Sequence, residues 1–539
     1  MDTQKIVWND KLKRVWDNSC YSLDSNVHKT YAQQERYRKN MIKNDLSLKE
    51  SEKEFLLIRL QNLYDKLKIG DNSVEKQQCN NCQNWHQATQ YCEFCIRNYL
   101  ENNFRNWKSG NEEIDKLIQE CQQKTVSPRS VIEWINYDQF ENVEHLTDGG
   151  FATIFTAMWK DGCYHQWDSE DRILKRYGSH KVILKRLNNS NSSNVHWFQE
   201  VTLSFTLDNT FLSLATCFGL TKDPSTNEYM LILNCYDDDL RHFLKNNYHS
   251  LTLLKKYRII YEIARSLNKI HKKNIMHRDL HSGNILYNAN SLRWKISDLG
   301  LSGPVDKPLN SIYGNLPYVA PEVYCGQAYT TKSDIYSIGI LMWEVITGET
   351  PHGDDKYNSD LDLAFAIAKG YRPKIYENIP LEYATLMKQS WDATPNNRPD
   401  AITLNEKMES LIKSLYEEMD KQQEPTIQSK NLKSKIKNFF KLSFRKKNKD
   451  KQIIKNTQSV KIGKSRKSRK SRKSKKSKIQ TSKVYTFNFD FQPRNATDEE
   501  QQAFDTGQFD FVISEEMEQQ YFKVDGIAGP SSDFKIKEN

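Results

Sequence analysis

Between Tyr137 and Tyr416 the hydrophobic pattern changes character once, and that change constrains the fold more than any other feature of this 539-residue chain. Short β-type runs divided by turns come first, over 137–159, Lys181–Leu187 and Tyr229–Leu233; after Asp239 the pattern is mainly helical. Strands gathered ahead of helices imply an α+β body of two unequal lobes, the smaller rich in strands and the larger in helices. A cleft at their junction is the natural place for a ligand.

The chemistry of that cleft is spelled in the helical half. His277-Arg278-Asp279-Leu280-His281-Ser282-Gly283-Asn284 is followed by Ser297-Asp298-Leu299-Gly300. Asp279 is placed to orient a hydroxyl and take its proton, while Asn284 and Asp298 offer the hard oxygen ligands that Mg²⁺ prefers. Upstream, Val182-Ile183-Leu184-Lys185 ends in an ammonium, and Glu200 lies in the helix-like stretch Trp197–Val201. Downstream come Ala320-Pro321-Glu322, then Asp334–Gly339, then Trp391-Asp392 and Pro395–Pro399 with Arg398 between. Together and in this order, these motifs resemble the eukaryotic protein kinase family over residues 137–416. The spelling is most similar to the tyrosine-kinase-like group, many of whose members phosphorylate Ser or Thr.

The resemblance implies a bilobal protein kinase fold and an ATP- and Mg²⁺-dependent enzyme whose partners are protein substrates. Lys185 would contact the α- and β-phosphates with Glu200 holding it, Asp279 would be the base, and Asn284 and Asp298 would bind Mg²⁺. ATP would be enclosed by Leu146, Gly149, Gly150 and Ile154 of the glycine loop, by Lys185, and by Leu233 and Cys235 at the hinge. Asp334 would anchor the catalytic loop and Arg398 would pair with Glu322. Arg278 would either receive a phosphate on Ser302, Ser311 or Tyr313, or make only local contacts.

Four positions depart from the family pattern. The loop 146–154 has Thr147 and Ala152 at its first and third glycine positions, where side chains restrict the dihedrals and the approach to phosphates. His281 stands where Ser/Thr kinases usually carry a lysine, and a neutral imidazole does less for a spreading negative charge. Asn315 replaces their usual threonine, and the tyrosine-kinase proline pattern is absent too. Ser or Thr acceptors are expected, with Tyr left open. The rival reading is a pseudokinase scaffold that binds nucleotide weakly and recruits partners through its flanking segments; retention of every charged catalytic position argues against it.

Those flanks have their own signals. Cys79-x-x-Cys82 and Cys92-x-x-Cys95 have ligand spacing for a closed structural Zn²⁺ site, against reduced thiols or a redox pair as alternatives. His86 between them reads as a surface residue. The expected organisation is a helical region over 1–75, the zinc knuckle over 76–98, a helical linker over 99–136, the kinase domain over 137–416, a basic low-complexity tail over 417–483 and an acidic-aromatic segment over 484–539. Charge supports the last two: residues 430–483 are net +22 and 484–539 net −8, so the formal +10 of the whole says nothing about the body.

The run 464–478, rich in Lys-Ser-Arg, lacks apolar residues and is expected to be disordered. Leu432, Ile436, Phe439 and Phe440 among lysines favour an acidic partner or membrane surface, and the absence of aromatics interleaved in the run 464–478 disfavours nucleic acid there. With no apolar run at the amino terminus, an intracellular setting is expected, cytoplasmic with nuclear entry through the basic tail as a further option. Oligomeric state is not legible.

Overall fold

The computed structural model describes residues 6–506 except 24–26, 70, 72–73, 150–151, 192–195, 208–213, 305–311, 354–356, 358, 422–481 and 486–488. The basic run 464–478 and the apolar-basic stretch with Leu432, Ile436, Phe439 and Phe440 therefore lie outside the described residues. The described residues through Lys413 and those from Ser482 to Thr506 belong to one compact unit. Among the described residues no helix is long and apolar enough to cross a membrane.

The chain opens with α1 (Asp10–Tyr21), α2 (Tyr31–Asn44) and α3 (Glu50–Lys68). Their starts are written locally: Asn9 caps α1 at the Leu12 amide, and Thr30 and Gln33 form a reciprocal capping box on α2. Leu12, Trp16, Ile42, Leu56 and Leu60 interlock as their core. A short hairpin, β1 (Gln77–Gln78) and β2 (Trp85–His86), leads to α4 (Glu93–Asn102), α5 (Glu112–Gln123) and β3 (Glu133–Trp134).

The small lobe contains β4 (Phe140–Asp148), β5 (Ala152–Trp159), the hairpin β6 (Tyr164–Asp168) and β7 (Ile173–Arg176), β8 (His180–Leu187), α6 (His196–Thr206), β9 (Cys217–Lys222) and β10 (Tyr229–Asn234). Its sheet has six strands in the order β3-β9-β10-β8-β5-β4, and β3 joins it parallel to β9. The segment expected as a helical linker thus supplies an edge strand. It also supplies α5, whose Ile114 and Ile118 are buried with Val201 and Phe205 of α6 and with Leu220 and Leu231 of the sheet. A two-residue strand shows no alternation, which is why its sequence gave no sign of it.

The large lobe follows with β11 (Asp238–Asp239), α7 (Leu240–Asn247), α8 (Leu253–His271), β12 (Ile275–Met276), β13 (Ile285–Asn288), β14 (Arg293–Ile296), β15 (Gly303–Pro304) and β16 (Ile312–Gly314). Then come α9 (Pro321–Tyr324), α10 (Thr331–Thr347), α11 (Asp360–Ala368), α12 (Leu381–Ser390) and α13 (Ala401–Lys421). Every residue of α10 from Ser333 to Ile346 is buried, so this helix is the axis of the lobe. Two last elements, β17 (Lys483–Tyr485) and α14 (Asp498–Thr506), return to the large lobe, with β17 pairing antiparallel to β16.

Candidate active site

The nucleotide end of the cleft is built on β8, α6 and the turn after β14. Lys185 points inward from β8 because its register partners, Ile154 on β5 and Leu231 on β10, put it on the covered face of the sheet. Its ammonium lies 2.6 Å from Glu200 of α6 and 2.7 Å from Asp298, and is nearly fully buried. Burial alone lowers a lysine pKa, but the two carboxylates outweigh it and hold Lys185 above its ordinary value. Burial likewise works against ionised Asp298, yet Lys185 and the Gly300 amide keep its carboxyl at about 2. Lys185 and Asp298 are therefore held in their charged forms at neutral pH, while burial pushes the Glu200 carboxyl above its ordinary value against the pull of Lys185.

The acceptor end is held from below. Asp334, at the start of α10, takes the amides of His277 and Arg278 at 2.9 Å each and the His271 ring at 2.8 Å. His277 in turn donates through Nε2 to the Ser297 carbonyl at 3.0 Å, tying the loop of Asp279 to the loop of Asp298. Asn284 reaches back through Nδ2 to the Asp279 carbonyl at 2.9 Å and to its carboxylate at 3.2 Å. With Nδ2 committed to these bonds, the amide oxygen of Asn284 is the atom left for a cation.

Arg398 and Glu322 form a fully buried, bidentate pair at 2.8 and 2.6 Å, with Ser333 donating to the same carboxylate at 2.9 Å. Ser302 is buried and its hydroxyl hydrogen-bonds the His277 carbonyl, so it is packed rather than presented to a kinase. The side chain of Tyr313 and all of Ser311 lie outside the described residues.

The glycine loop is described in part. Leu146 is mostly exposed on β4, Gly149 donates its amide to the Ala152 carbonyl at 2.8 Å, and Gly150 lies outside the described residues. A cavity lies between Lys185, Glu200, Leu231, Leu233 and Asp298, and its back is closed by Ile132 of the amino-terminal extension. Cys235 follows β10, half-buried, at the turn into β11.

One contact at the acceptor end has no counterpart in the sequence reading. Ser482 donates its hydroxyl to Asp279 Oδ1 at 2.8 Å and faces His281 Nε2 at 3.1 Å. His281 is buried, and its Nδ1 accepts the Gly283 amide at 3.0 Å, so Nε2 is the protonated nitrogen and points at Ser482. Ser482 went unnoticed because it ends a serine- and lysine-rich tract and carries no motif. Its significance depends on where the chain returns.

A second cluster lies away from the cleft. Cys79 and Cys82 flank the turn of the β1–β2 hairpin, and Cys92 and Cys95 sit at the start of α4. Their four sulfurs all lie within 4.8 Å of one another, with Cys79 3.5 Å from Cys95 and Cys82 3.6 Å from Cys92. Tetrahedral Zn²⁺ with bonds of about 2.3 Å sets sulfurs roughly 3.8 Å apart, so the spacing fits. His86 is not at the surface: it is buried, and its Nδ1 meets the Ala88 carbonyl at 2.9 Å. Asp65 of α3 braces the loop before α4 through the amides of Thr89 and Gln90 at 3.0 and 3.3 Å.

Comparison with known proteins agrees with this geometry. The family model described as protein tyrosine and serine/threonine kinase matches residues 140–408. This chain belongs to the eukaryotic protein kinase family. Its relatives include the RGS domain-containing serine/threonine-protein kinase A of Dictyostelium discoideum, 25% identical over 337 residues that cover 58% of this chain and 29% of the relative. The dual specificity protein kinase zakA of the same organism is 32% identical over 188 residues, 32% of this chain and 24% of that one. The chain thus spans less than a third of the length of either relative. Kinase domains use ATP and a divalent metal, and act on proteins.

Proposed function

We propose that this chain is an active protein kinase that transfers the γ-phosphoryl group of ATP to Ser or Thr hydroxyls of proteins. The observation that carries the reading is Lys185 held between Glu200 and Asp298 at 2.6 and 2.7 Å: the ammonium that would receive the nucleotide phosphates is already fixed and charged. Asp279 orients the acceptor hydroxyl and takes its proton, a role that requires a carboxylate within hydrogen-bond reach of that oxygen. Mg²⁺, held by Asn284 and Asp298, would neutralise charge on the transferring phosphates. The scaffold alternative loses force because no charged member of the set is missing.

The preference for Ser or Thr is supported by Ser482, whose hydroxyl meets Asp279 at 2.8 Å. A short side chain on the segment paired with β16 reaches Asp279 directly, whereas a tyrosine ring there would carry its hydroxyl past the acid. Membership of the tyrosine-kinase-like group rests on the Asp298-Leu299-Gly300 and Trp391 spellings. We assign Zn²⁺ to Cys79, Cys82, Cys92 and Cys95 as a structural ion, since all four positions are protein thiols and none is left open to a substrate.

Purified full chain with labelled ATP and Mg²⁺, offered a panel of serine, threonine and tyrosine peptides, tests the activity. Label is expected on Ser or Thr, falling by about 10²–10⁴ in Asp279→Asn, as for loss of a general base, and to background in Lys185→Met. Equal background transfer by all three proteins sinks the reading. For zinc, about one equivalent should appear on thiol modification and vanish in the Cys79→Ser, Cys82→Ser double variant.

A further inference from the structure

We propose that Ser482 is a phosphoacceptor of this chain's own kinase domain, presented in cis by the segment 482–506; the inference rests on the kinase activity proposed above. The hydroxyl of Ser482 donates to Asp279 at 2.8 Å and accepts from His281 at 3.1 Å, which is the position and polarity a substrate serine needs before transfer. An inert occupant of the same groove would need no hydroxyl at this point.

The backbone after Ser482 runs as a substrate strand. Lys483, Val484 and Tyr485 pair antiparallel with Gly314, Tyr313 and Ile312, so the segment extends the loop that precedes α9. Lys483 reaches Asp360 at 3.2 Å and Tyr485 is buried. Farther along, the Phe489 amide donates to the Tyr324 carbonyl at 2.8 Å, and the Phe489 ring packs edge-on against Phe365.

Anchoring continues well beyond the acceptor. Asn495 accepts the Ala393 amide at 2.9 Å, and Gln501 bridges the backbone of Arg372 through both its amide atoms. Phe504 of α14 is buried against Tyr371. These contacts fix the register of Ser482 without involving Ser482, as a presented substrate requires. Tethering raises the effective concentration of this serine far above that of a free peptide.

The step balances without another reactant. Ser482 Oγ forms a bond to the γ-phosphorus of ATP as the bond from that phosphorus to the β,γ-bridging oxygen breaks; ADP leaves with the electron pair. The hydroxyl proton passes to Asp279 and then to water. The product places nearly two negative charges beside the Asp279 carboxylate, and like-charge repulsion then favours release of the strand from the groove.

The test is phosphate mapping on the full chain with ATP and Mg²⁺ over a hundredfold range of protein concentration, with a synthetic peptide of residues 478–490 as a second acceptor. About one phosphate per chain is expected on Ser482, at a first-order rate independent of protein concentration. Ser482→Ala should lack it while still labelling the peptide. Phe489→Ala, which removes an anchor but no acceptor, should slow modification of Ser482 roughly tenfold, the scale of losing a buried aromatic anchor. Label on the peptide but never on Ser482 of the intact chain, label on Thr481 instead, or a rate proportional to protein concentration would overturn the proposal and leave the kinase reading standing. Label on neither acceptor removes both.

Discussion

Two appended segments meet the kinase domain, one from each end, and a glycine marks each meeting. At Gly219, with φ +148°, an added Cβ would lie 1.8 Å from the Glu133 carbonyl of β3. At Gly370, with φ +111°, it would lie 2.2 Å from the Ala496 amide of the carboxyl-terminal segment. Both backbones come closer than any side chain permits. There the likeness ends. The amino-terminal extension shares its apolar residues with α6 and the small-lobe sheet, and ties α1 to the large lobe through buried Lys13, 3.2 Å from Glu262. The carboxyl-terminal segment shares a three-residue strand, some aromatic contacts and a set of side-chain to backbone hydrogen bonds. Close approach therefore says little about strength of attachment; the apolar area enclosed behind it decides whether a segment is part of the fold or an occupant of its surface.

If that contrast is right, the two ends respond unequally to substitution. The largest effect is expected for Gly219→Ala, where the new methyl meets backbone on a residue whose φ an alanine resists. Strain and overpacking together should cost about 4 kcal/mol, read as a lower denaturant midpoint for the whole chain. Ile118→Ala comes next. Its side chain is fully buried between α5 and α6, so truncation should cost about 3 kcal/mol. Because α6 carries Glu200, the same variant should also weaken transfer from ATP more than it weakens binding of the acceptor peptide. A free-standing linker would give neither result.

The contrast also explains what could be read from the sequence. The polar set of the cleft was legible because its members stand in short motifs that follow one another in a fixed order along one continuous stretch: Lys185, Glu200 and Asp298 meet in the structure, and Asn284 bonds Asp279. The paired cysteines were legible for the same reason. The two attachments were not, because their partners are remote in sequence. Ser482 lies more than two hundred positions from Asp279, and its strand pairs through backbone groups that every residue possesses. Gly219 and Gly370 are unremarkable until the strand that needs the space is known. His86 misled because the residues just before it, Gln83 to Trp85, are exposed, whereas it opens a buried run with Gln87 and Ala88 and turns its ring to the Ala88 carbonyl.

Gly370→Ala should have a smaller effect than either change at the amino-terminal face, about 1–2 kcal/mol from the unfavourable φ alone. Its distinctive sign would be loss of the carboxyl-terminal contacts without loss of the small-lobe core. An unfolding midpoint shifted as far as that of Gly219→Ala would show that both segments belong equally to the fold.

The smallest change in overall stability, under about 0.5 kcal/mol, is expected from Phe489→Ala, which touches the surface of the large lobe and none of its core. Its effect should instead appear in the segment itself. Arg494 is ion-paired with Glu500 inside the docked stretch, and trypsin can cut there only when the stretch lifts away. Cleavage of a segment that opens and closes rapidly follows the population of its open form. Removing a buried aromatic anchor should shift the balance from the docked toward the open form, and the rate of cutting after Arg494 should rise with it. The same variant should phosphorylate an added serine peptide faster, since β17 competes for the strand position beside Asp279. If cutting accelerated while peptide phosphorylation did not change, the segment would be a loosely held tail whose contact with Asp279 has no bearing on substrate access. Acceleration of both in parallel is what an occupant of the acceptor groove requires.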